Sequence, residues 1–523
     1  MRFCSLFLGV SLTALAMPAV AQTTTTRQGT TARVTVQTAT PAPAPAPTTT
    51  LRDALVEAYN TNPDLQAERA NQRANDENVP IARSRGLPGA DATGSVNTSI
   101  YDTDANAISP SRQGTLGINL SQPVYSGGAV RNSVRAAETR VEAGQANLRG
   151  AESDVFTQAV TTYVDVIRDE AIVRLNQQNV HVLEVNLQAT RDRYEVGDLT
   201  RTDVAQSEAR LALAQSQLRS AEARLIGSRE NYIRVIGSPP GVLAPPPPLP
   251  NLPDDVVTAE QIALGNNPFL EAAQLARDAS RYDVSVARAG RLPQLSVGVG
   301  GNYYNYLGST PAAAAAQGAS GDGFSTTIGA QLSLPLFQGG RPAAQVRQAQ
   351  ARQAAAIEQV TLTERGVIAQ ARSAFAGYQS SLRVIESSRV AVEANRLSLE
   401  GVRAENSVGT RTILDILNAE QELLNSQVNY VTAERDAYVA GFTLLASMGR
   451  AEAKDLGLEG GPLYDPAANY KRVRRSWSDW NDDPEPKPVG TPTRGTPAQG
   501  ANVAPGALEP LLQRPVDTNG SNP

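Results

Sequence analysis

LSQPVYSGGAVRNSVR, Leu120 to Arg135, returns in the same chain as LSLPLFQGGRPAAQVR, Leu332 to Arg347. Each copy carries Leu-Ser, then Pro, an apolar pair and Gly-Gly, and each ends in Val-Arg. Proline withdraws a donor from a strand ladder, and glycine admits backbone conformations that other residues avoid. The pattern therefore predicts strands that end at Pro123 and Pro335. A sharp conversion into helix should follow at Gly127-Gly128 and at Gly339-Gly340.

A true duplication holds register beyond one motif. Pro123 and Pro335 are 212 residues apart, and the same offset relates Tyr163 to Phe375, Gly197 to Gly409, Asp203 to Asp415, Glu208 to Glu420 and Gly237 to Gly449. Upstream, Asn62-Pro63 matches Asn267-Pro268 and Leu87-Pro88 matches Leu292-Pro293 at an offset of 205. The seven extra residues fall in 301–325, where Ala312 to Ala316 read as an insertion in a loop tip. Residues 51–237 and 256–450 are two copies of one unit.

Low-complexity segments frame them. Residues 22–50 are rich in Thr, Ala and Pro and are expected to be disordered, 238–255 is a stiff Pro-rich connector, and 451–523 is a tail expected to be loose from 487 onward. Residues 1–21 read as a secretory signal, with Arg2, the apolar run Leu6 to Leu15 and Ala19-Val20-Ala21 before Gln22. Cys4, the single cysteine, lies inside it, so no disulfide framework is expected. Removing Arg2 takes the net charge from −5 to −6, which offers no basic footprint for nucleic acid. Beyond residue 21 no run of about 18 apolar residues appears, so any membrane crossing must use strands.

Each unit opens with a helical pattern, 51–87 and 256–292, and turns at Leu-Pro. Period-2 alternation follows. Ala90, Ala92, Gly94, Val96 and Ile100 alternate with polar residues, as do Leu116, Ile118 and Leu120; the second copy offers Leu295, Val297, Val299 and then Ile328, Ala330, Leu332. Such strands match a transmembrane β-barrel and equally an amphipathic hairpin on a soluble core. A very long helix should then run over about 128–195, reaching roughly 100 Å at 1.5 Å per residue. Its return partner carries Val204, Leu211, Leu218, Leu225 and Tyr232 every seven residues, with small Ser207, Ala214, Ala221 and Ser228 between; copy two repeats this from Ile416 to Leu444. A strict heptad imposes left-handed supercoiling, and an ordinary antiparallel coiled coil would satisfy the helices alone.

One chain thus supplies four strands and four long helices, and four strands cannot close a barrel. Here the sequence resembles the TolC-type outer-membrane efflux family over about 51–450. The most specific passages are VGTRTILDILNAEQELLNSQVNY, Val408 to Tyr430, and YEVGDLTRTDVAQSEARL, Tyr194 to Leu211. The resemblance implies an α+β membrane protein: a homotrimer with a 12-stranded outer-membrane β-barrel continuous with a periplasmic α-helical barrel. It implies an exit duct of a tripartite efflux or type I secretion system, with a periplasmic adaptor and an inner-membrane transporter of RND or ABC type as partners. The rival readings are a stand-alone porin-like channel and a soluble periplasmic coiled-coil adaptor.

The resemblance also implies a periplasmic gate, matched here by Arg411, Asp415 and Asp203, with Asp415 and Asn418 as rings lining the pore. Position 418 is often acidic in the family, so Asn418 implies a weaker cation-attracting ring, and Asn406 stands where the family carries an aromatic. A guanidinium bonded to a carboxylate is strong when desolvated and breakable by competing contacts; the plain alternative is a solvated i,i+4 pair. The tip turns Gly197-Asp198-Leu199 and Gly409-Thr410 are the implied adaptor-docking sites. Nothing reads as an enzyme. His181 stands alone on a long helix, no metal cluster or cofactor motif appears, and Gly298, Gly300 and Gly301 lack dinucleotide spacing. In NYKRVRRSWSDW, 469–480, basic residues flank both tryptophans, which suits a tail packed on the helices or a membrane-surface patch.

Overall fold

The computed structural model describes residues 48–100, 110–318, 320–458, 463–503 and 508–513. The expected signal 1–21 and residues 22–47 lie outside them. Strand β1 (Thr48–Thr49) leads into helices α1 (Leu51–Thr61), α2 (Pro63–Asp76) and α3 (Asn78–Ser84). A hairpin of β2 (Gly89–Thr98) and β3 (Arg112–Tyr125) follows, then α4 (Ala129–Glu195) and α5 (Arg201–Ile236). After β4 (Val242–Leu243) the order returns as α6 (Val256–Asn266), α7 (Pro268–Ala289), β5 (Gln294–Asn305), a short α8 (Ala312–Ala316), β6 (Asp322–Ser333), α9 (Arg341–Ser407) and α10 (Ile413–Ser447). The tail holds α11 (Pro466–Val473) and one 3₁₀ turn, Pro510–Leu512.

The opening helical pattern of each unit is broken, and the sequence shows why. Asn62 accepts from the N–H groups of Asp64 and Leu65, with Pro63 supplying the first helical residue. Asn267 and Pro268 do the same for Phe269 and Leu270. An Asn cap followed by Pro starts a new helix rather than continuing the old one. Each Asn also reaches the end of its own return helix. Asn62 Nδ2 donates to the Val235 carbonyl at 2.8 Å and Asn267 Nδ2 to that of Ser447 at 3.2 Å.

β2, β3, β5 and β6 form one four-stranded antiparallel sheet in that order, so β2 and β6 are open edges. The register puts the alternating apolar residues on a common face. Leu120 stands between Ala90 and Val299, Val299 meets Ile328, and Leu295 meets Leu332. The opposite face carries Asp91, Thr93, Ser95, Asn119, Asn302, Thr327 and Gln331. Among the described residues no helix covers the apolar face: Val96, Ile118, Phe324, Ile328 and Leu332 are all largely exposed. A hairpin laid on a soluble core would bury these side chains, so that reading is set aside.

The strand ends need one correction. β6 stops at Ser333, before Pro335, as expected. β3 does not stop at Pro123. Its pairing with β2 ends at Ser121, while pairing with β5 continues through Pro123 to Tyr125 across a bulge. The bulge leaves out Val124, whereas Pro123 pairs with Ser296 and lies past the end of the β2 pairing, so it is on a free edge where a missing N–H is tolerated. Beyond the strands, Gly127 (φ 62°) and Gly128 (φ 81°) turn the chain into α4, and Gly339 (φ 58°) and Gly340 (φ 79°) turn it into α9.

α4 and α9 each have 67 residues, about 100 Å of helix. Their surroundings differ. α4 is buried along most of its length, whereas α9 buries Val346, Val367, Ala371, Val392 and Leu399 and leaves Leu362, Val384, Val390 and Leu397 exposed. The main core gathers Phe156, Tyr163, Leu225, Tyr232, Ile236, Phe442 and Leu444. Tyr163 Oη donates to the carbonyls of Thr49 (3.0 Å) and Ala244 (2.7 Å), pinning β1 and β4, which pair in parallel. Residues 48–50, at the end of the segment read as disordered, are thus ordered by the connector: two short strands pair with each other, and the Tyr163 hydroxyl donates to carbonyls of both segments.

The tail runs along the helices. The Tyr464 N–H donates to Tyr59 Oη at 2.9 Å, Gln499 N to Glu230 Oε1 at 2.9 Å, and Arg229 Nη1 to the Gly500 carbonyl at 2.6 Å. Leu508 and Leu512 are buried against Val392, Leu423 and Tyr430. The segment read as loose from 487 onward makes these contacts over its described part. Pro and Gly residues predict an irregular backbone, which does not prevent a strand of chain from lying in a groove.

Candidate functional site at the hairpin tips

The turn between α4 and α5 is made by Gly197 (φ 85°), and that between α9 and α10 by Gly409 (φ 83°). Both return helices begin with a reciprocal cap. Thr200 N and Oγ1 donate to the Asp203 carboxylate at 2.9 and 2.7 Å, and the Asp203 N–H reaches Thr200 Oγ1 at 3.4 Å. Thr412 and Asp415 repeat this at 3.0, 2.8 and 3.3 Å. Such a box satisfies helix N–H groups that have no partner inside the helix. The Thr200 hydroxyl, then its N–H, holds the Asp203 carboxyl below its usual range; for Asp415 the Thr412 N–H leads and the hydroxyl follows.

Within one chain, therefore, Asp203 and Asp415 are cap residues. Arg411 pairs through Nε with Glu405 Oε2 at 2.7 Å, and this carboxylate raises the guanidinium's pKa further. Asn406 Nδ2 donates to the Arg411 carbonyl at 2.7 Å, so the residue standing in place of an aromatic ties the turn together. The first tip is closed by Arg193 and Asp198 at 2.6 Å. Leu199 is half-buried, while Gly409 and Thr410 are exposed, as are Val196 and Val408 beside the two glycines. Thr410 Oγ1 donates to the Glu405 carbonyl at 2.8 Å. His181 is exposed on α4.

Three contacts were not foreseen. Arg191 bonds Glu208 at 2.7 Å across the first hairpin, and Arg403 bonds Glu420 across the second. The offset of 212 relates arginine to arginine and glutamate to glutamate, so register alone could have found the pair. The third joins the hairpins to each other: Arg210 on α5 donates to Asn418 Oδ1 on α10. Leu417 adds an apolar contact beside it, packed with Leu183 and Ala214. No local signal announces a bond between residues 208 positions apart.

Long paired helices joined through diglycine turns to a sheet with one bare apolar face have a counterpart among known proteins. The model of the outer membrane efflux protein family matches residues 54–238 and 260–450. The chain belongs to the outer membrane efflux protein family. Outer membrane efflux protein BepC of Brucella suis biovar 1 is 35% identical over 428 residues, 82% of this chain and 91% of that one. Outer membrane protein TolC of Escherichia coli K12 is 26% identical over 478 residues, 88% and 92% of the two chains. The crystal structure of outer membrane protein VceC from Vibrio cholerae shares the fold at 21% identity, with a TM-score of 0.65 over 76% of this chain and 96% of that one. This efflux protein accordingly resides in the outer membrane with a large periplasmic helical portion. Its family and fold are those of channels rather than enzymes. Among the described residues no helix is long and apolar enough to cross a membrane.

Proposed function

We propose that three copies of this efflux protein pool their sheets into a 12-stranded barrel and their helices into a periplasmic tunnel. The assembly is a passive exit duct fed by an inner-membrane transporter of RND or ABC type through a periplasmic adaptor. The observation that carries this reading is the sheet. Its apolar face is bare, its far face is polar, and its edges β2 and β6 are open. Lipid tolerates the first and not the last, so the edges must pair with other copies. The exposed apolar side chains of α9, set against the buried α4 of equal length, support the same assembly. A stand-alone porin needs no helices of about 100 Å, and a soluble adaptor would not leave a four-stranded sheet uncovered.

The gate is proposed at the tips. Asp203, Arg411, Asp415 and Asn418 lie in or beside the two turns, where threefold symmetry would bring six turns together. The Arg210–Asn418 bond holds one hairpin against the other in each chain and restrains an outward swing. The Pro123/Gly127-Gly128 and Pro335/Gly339-Gly340 joints set the entry angle of the helices. Single-channel conductance in a planar bilayer tests this, with wild type beside Arg411→Ser and Arg210→Ala. A small wild-type conductance that rises in either variant supports duct and latch. Unchanged conductance in both removes them from the gate, and no conductance from folded protein overturns the duct.

A further inference from the structure

The segment 469–480 takes no part in the duct. Its first half is bound to the helices. Asn469 Nδ2 donates to Asp76 at 2.9 Å, Tyr470 packs against Val79, Ala82, Ala137 and Val141, and Arg83 Nη1 donates to the Arg474 carbonyl at 3.2 Å. Its second half is bare: Trp477 is 85% exposed and Trp480 94%. They are the two tryptophans of the whole chain. Arg472 then bonds Asp483 through both terminal nitrogens, at 2.7 and 2.8 Å, so residues 472–483 form a loop closed at its base that carries both tryptophans.

The loop sits at a particular height. Arg83 is three residues before Gly86, whose carbonyl accepts from Gln122 Nε2 of β3 at 2.8 Å. Gly86 also lies against Val130 in the first turn of α4; a methyl group added there would come within 2.8 Å of it. Gln122 and Val130 bracket the strand-to-helix joint. Tyr470, beside Ala137 and Val141, lies level with a point eight to twelve residues into α4, roughly 12–18 Å along the helix from that joint, and the chain from Arg474 to Trp480 spans at most about 20 Å, enough to cover that height.

We propose that the loop 472–483 docks on the periplasmic phospholipid leaflet of the outer membrane, with Trp477 and Trp480 in the headgroup region. Indole has an apolar body and an N–H that still needs a partner, which suits a membrane interface better than water or hydrocarbon. The loop lies at the end of the helices that joins the sheet, within reach of the level at which the bare apolar face begins. Arg475 can meet lipid phosphate. Asp479 and Asp482 in the same loop cancel a purely electrostatic attraction, so insertion of the two rings carries the binding. The inference rests on the reading that the sheet spans the outer membrane.

The chain's tryptophan fluorescence reports on this loop alone. The full chain is reconstituted into phosphatidylethanolamine/phosphatidylglycerol vesicles, with and without phosphatidylcholine brominated near the headgroup end of its acyl chains. Emission shifted to the blue, quenched by the brominated lipid and shielded from aqueous iodide, is the expected result. Trp477→Phe and Trp480→Phe should each retain it, because both rings insert. A blue shift without quenching by brominated lipid would show the rings covered by a neighbouring protein surface, and red emission quenched by iodide would show them in water; either overturns the proposal. Flotation with the vesicles separates the two levels. Protein that fails to float overturns the membrane-spanning reading itself, whereas floating protein with unquenched tryptophans overturns the anchor only.

Discussion

Arg403 and Arg191 occupy the same place in the two copies, yet their loss should have very different consequences. In the second hairpin the Glu420 side chain is 2% exposed and that of Arg403 18%; in the first, Arg191 and Glu208 are 48% and 50% exposed. Removing one partner of a buried pair costs about 3–5 kcal/mol. An exposed pair contributes about 0.2–1 kcal/mol. With a factor of ten per about 1.4 kcal/mol, Arg403→Gln should speed local opening on the order of 10²- to 10³-fold, and Arg191→Gln by about fivefold at most. Amide hydrogen exchange reads such openings segment by segment. Peptides covering 395–425 in the first variant should lose protection that peptides covering 183–213 keep in the second. The double variant Arg403→Gln/Glu420→Gln should recover much of the loss, since the buried charge is then removed together with its partner. Equal acceleration in the two hairpins, or no recovery in the double variant, would refute the reasoning from burial.

Two more substitutions exploit the joints and the core. Gly127 and Gly339 both hold positive φ, so alanine costs about 1–2 kcal/mol at either. At Gly127 the new methyl also meets Leu292 Cβ at 2.8 Å and the Ala289 carbonyl at 3.0 Å, while the space at Gly339 is open. Overpacking adds about 1–3 kcal/mol, so Gly127→Ala should lower the thermal unfolding midpoint more than Gly339→Ala, and equal shifts would contradict the clash. Burial pushes the Glu152 carboxyl above its usual 4.5, against the Ala453 N–H at 2.6 Å that draws it down. Its contribution is most favourable below the unfolded value and is lost as pH rises through the higher folded one. Glu152→Gln keeps an acceptor and removes the charge. It should therefore be more stable than wild type at neutral pH, with the difference vanishing as pH falls towards 4.5 in denaturation curves measured along a pH series; a variant less stable than wild type at neutral pH would show that the Ala453 bond outweighs desolvation.

Much of this molecule was determined by the sequence alone. The register of 212, the Asn-Pro caps, the diglycine turns and the heptads fix the order, length and joints of the elements, because each depends on backbone chemistry or periodicity within a few residues. Even the polar cross-hairpin pairs follow from register once one copy is known. Tertiary structure decided what lies against what. It made α4 a buried helix and α9 an exposed one of the same length, and hid Glu420 while leaving Glu208 in water. It gave Arg411 to Glu405 and Arg210 to Asn418, and laid the Pro-rich tail along the helices. Asp203 and Asp415, proposed for the gate by likeness, also cap their own helices within each chain, where Thr200 and Thr412, three residues away, bond their carboxylates. Burial and pairing of this kind depend on which faces meet across hundreds of residues, and two copies of one pattern meet different neighbours.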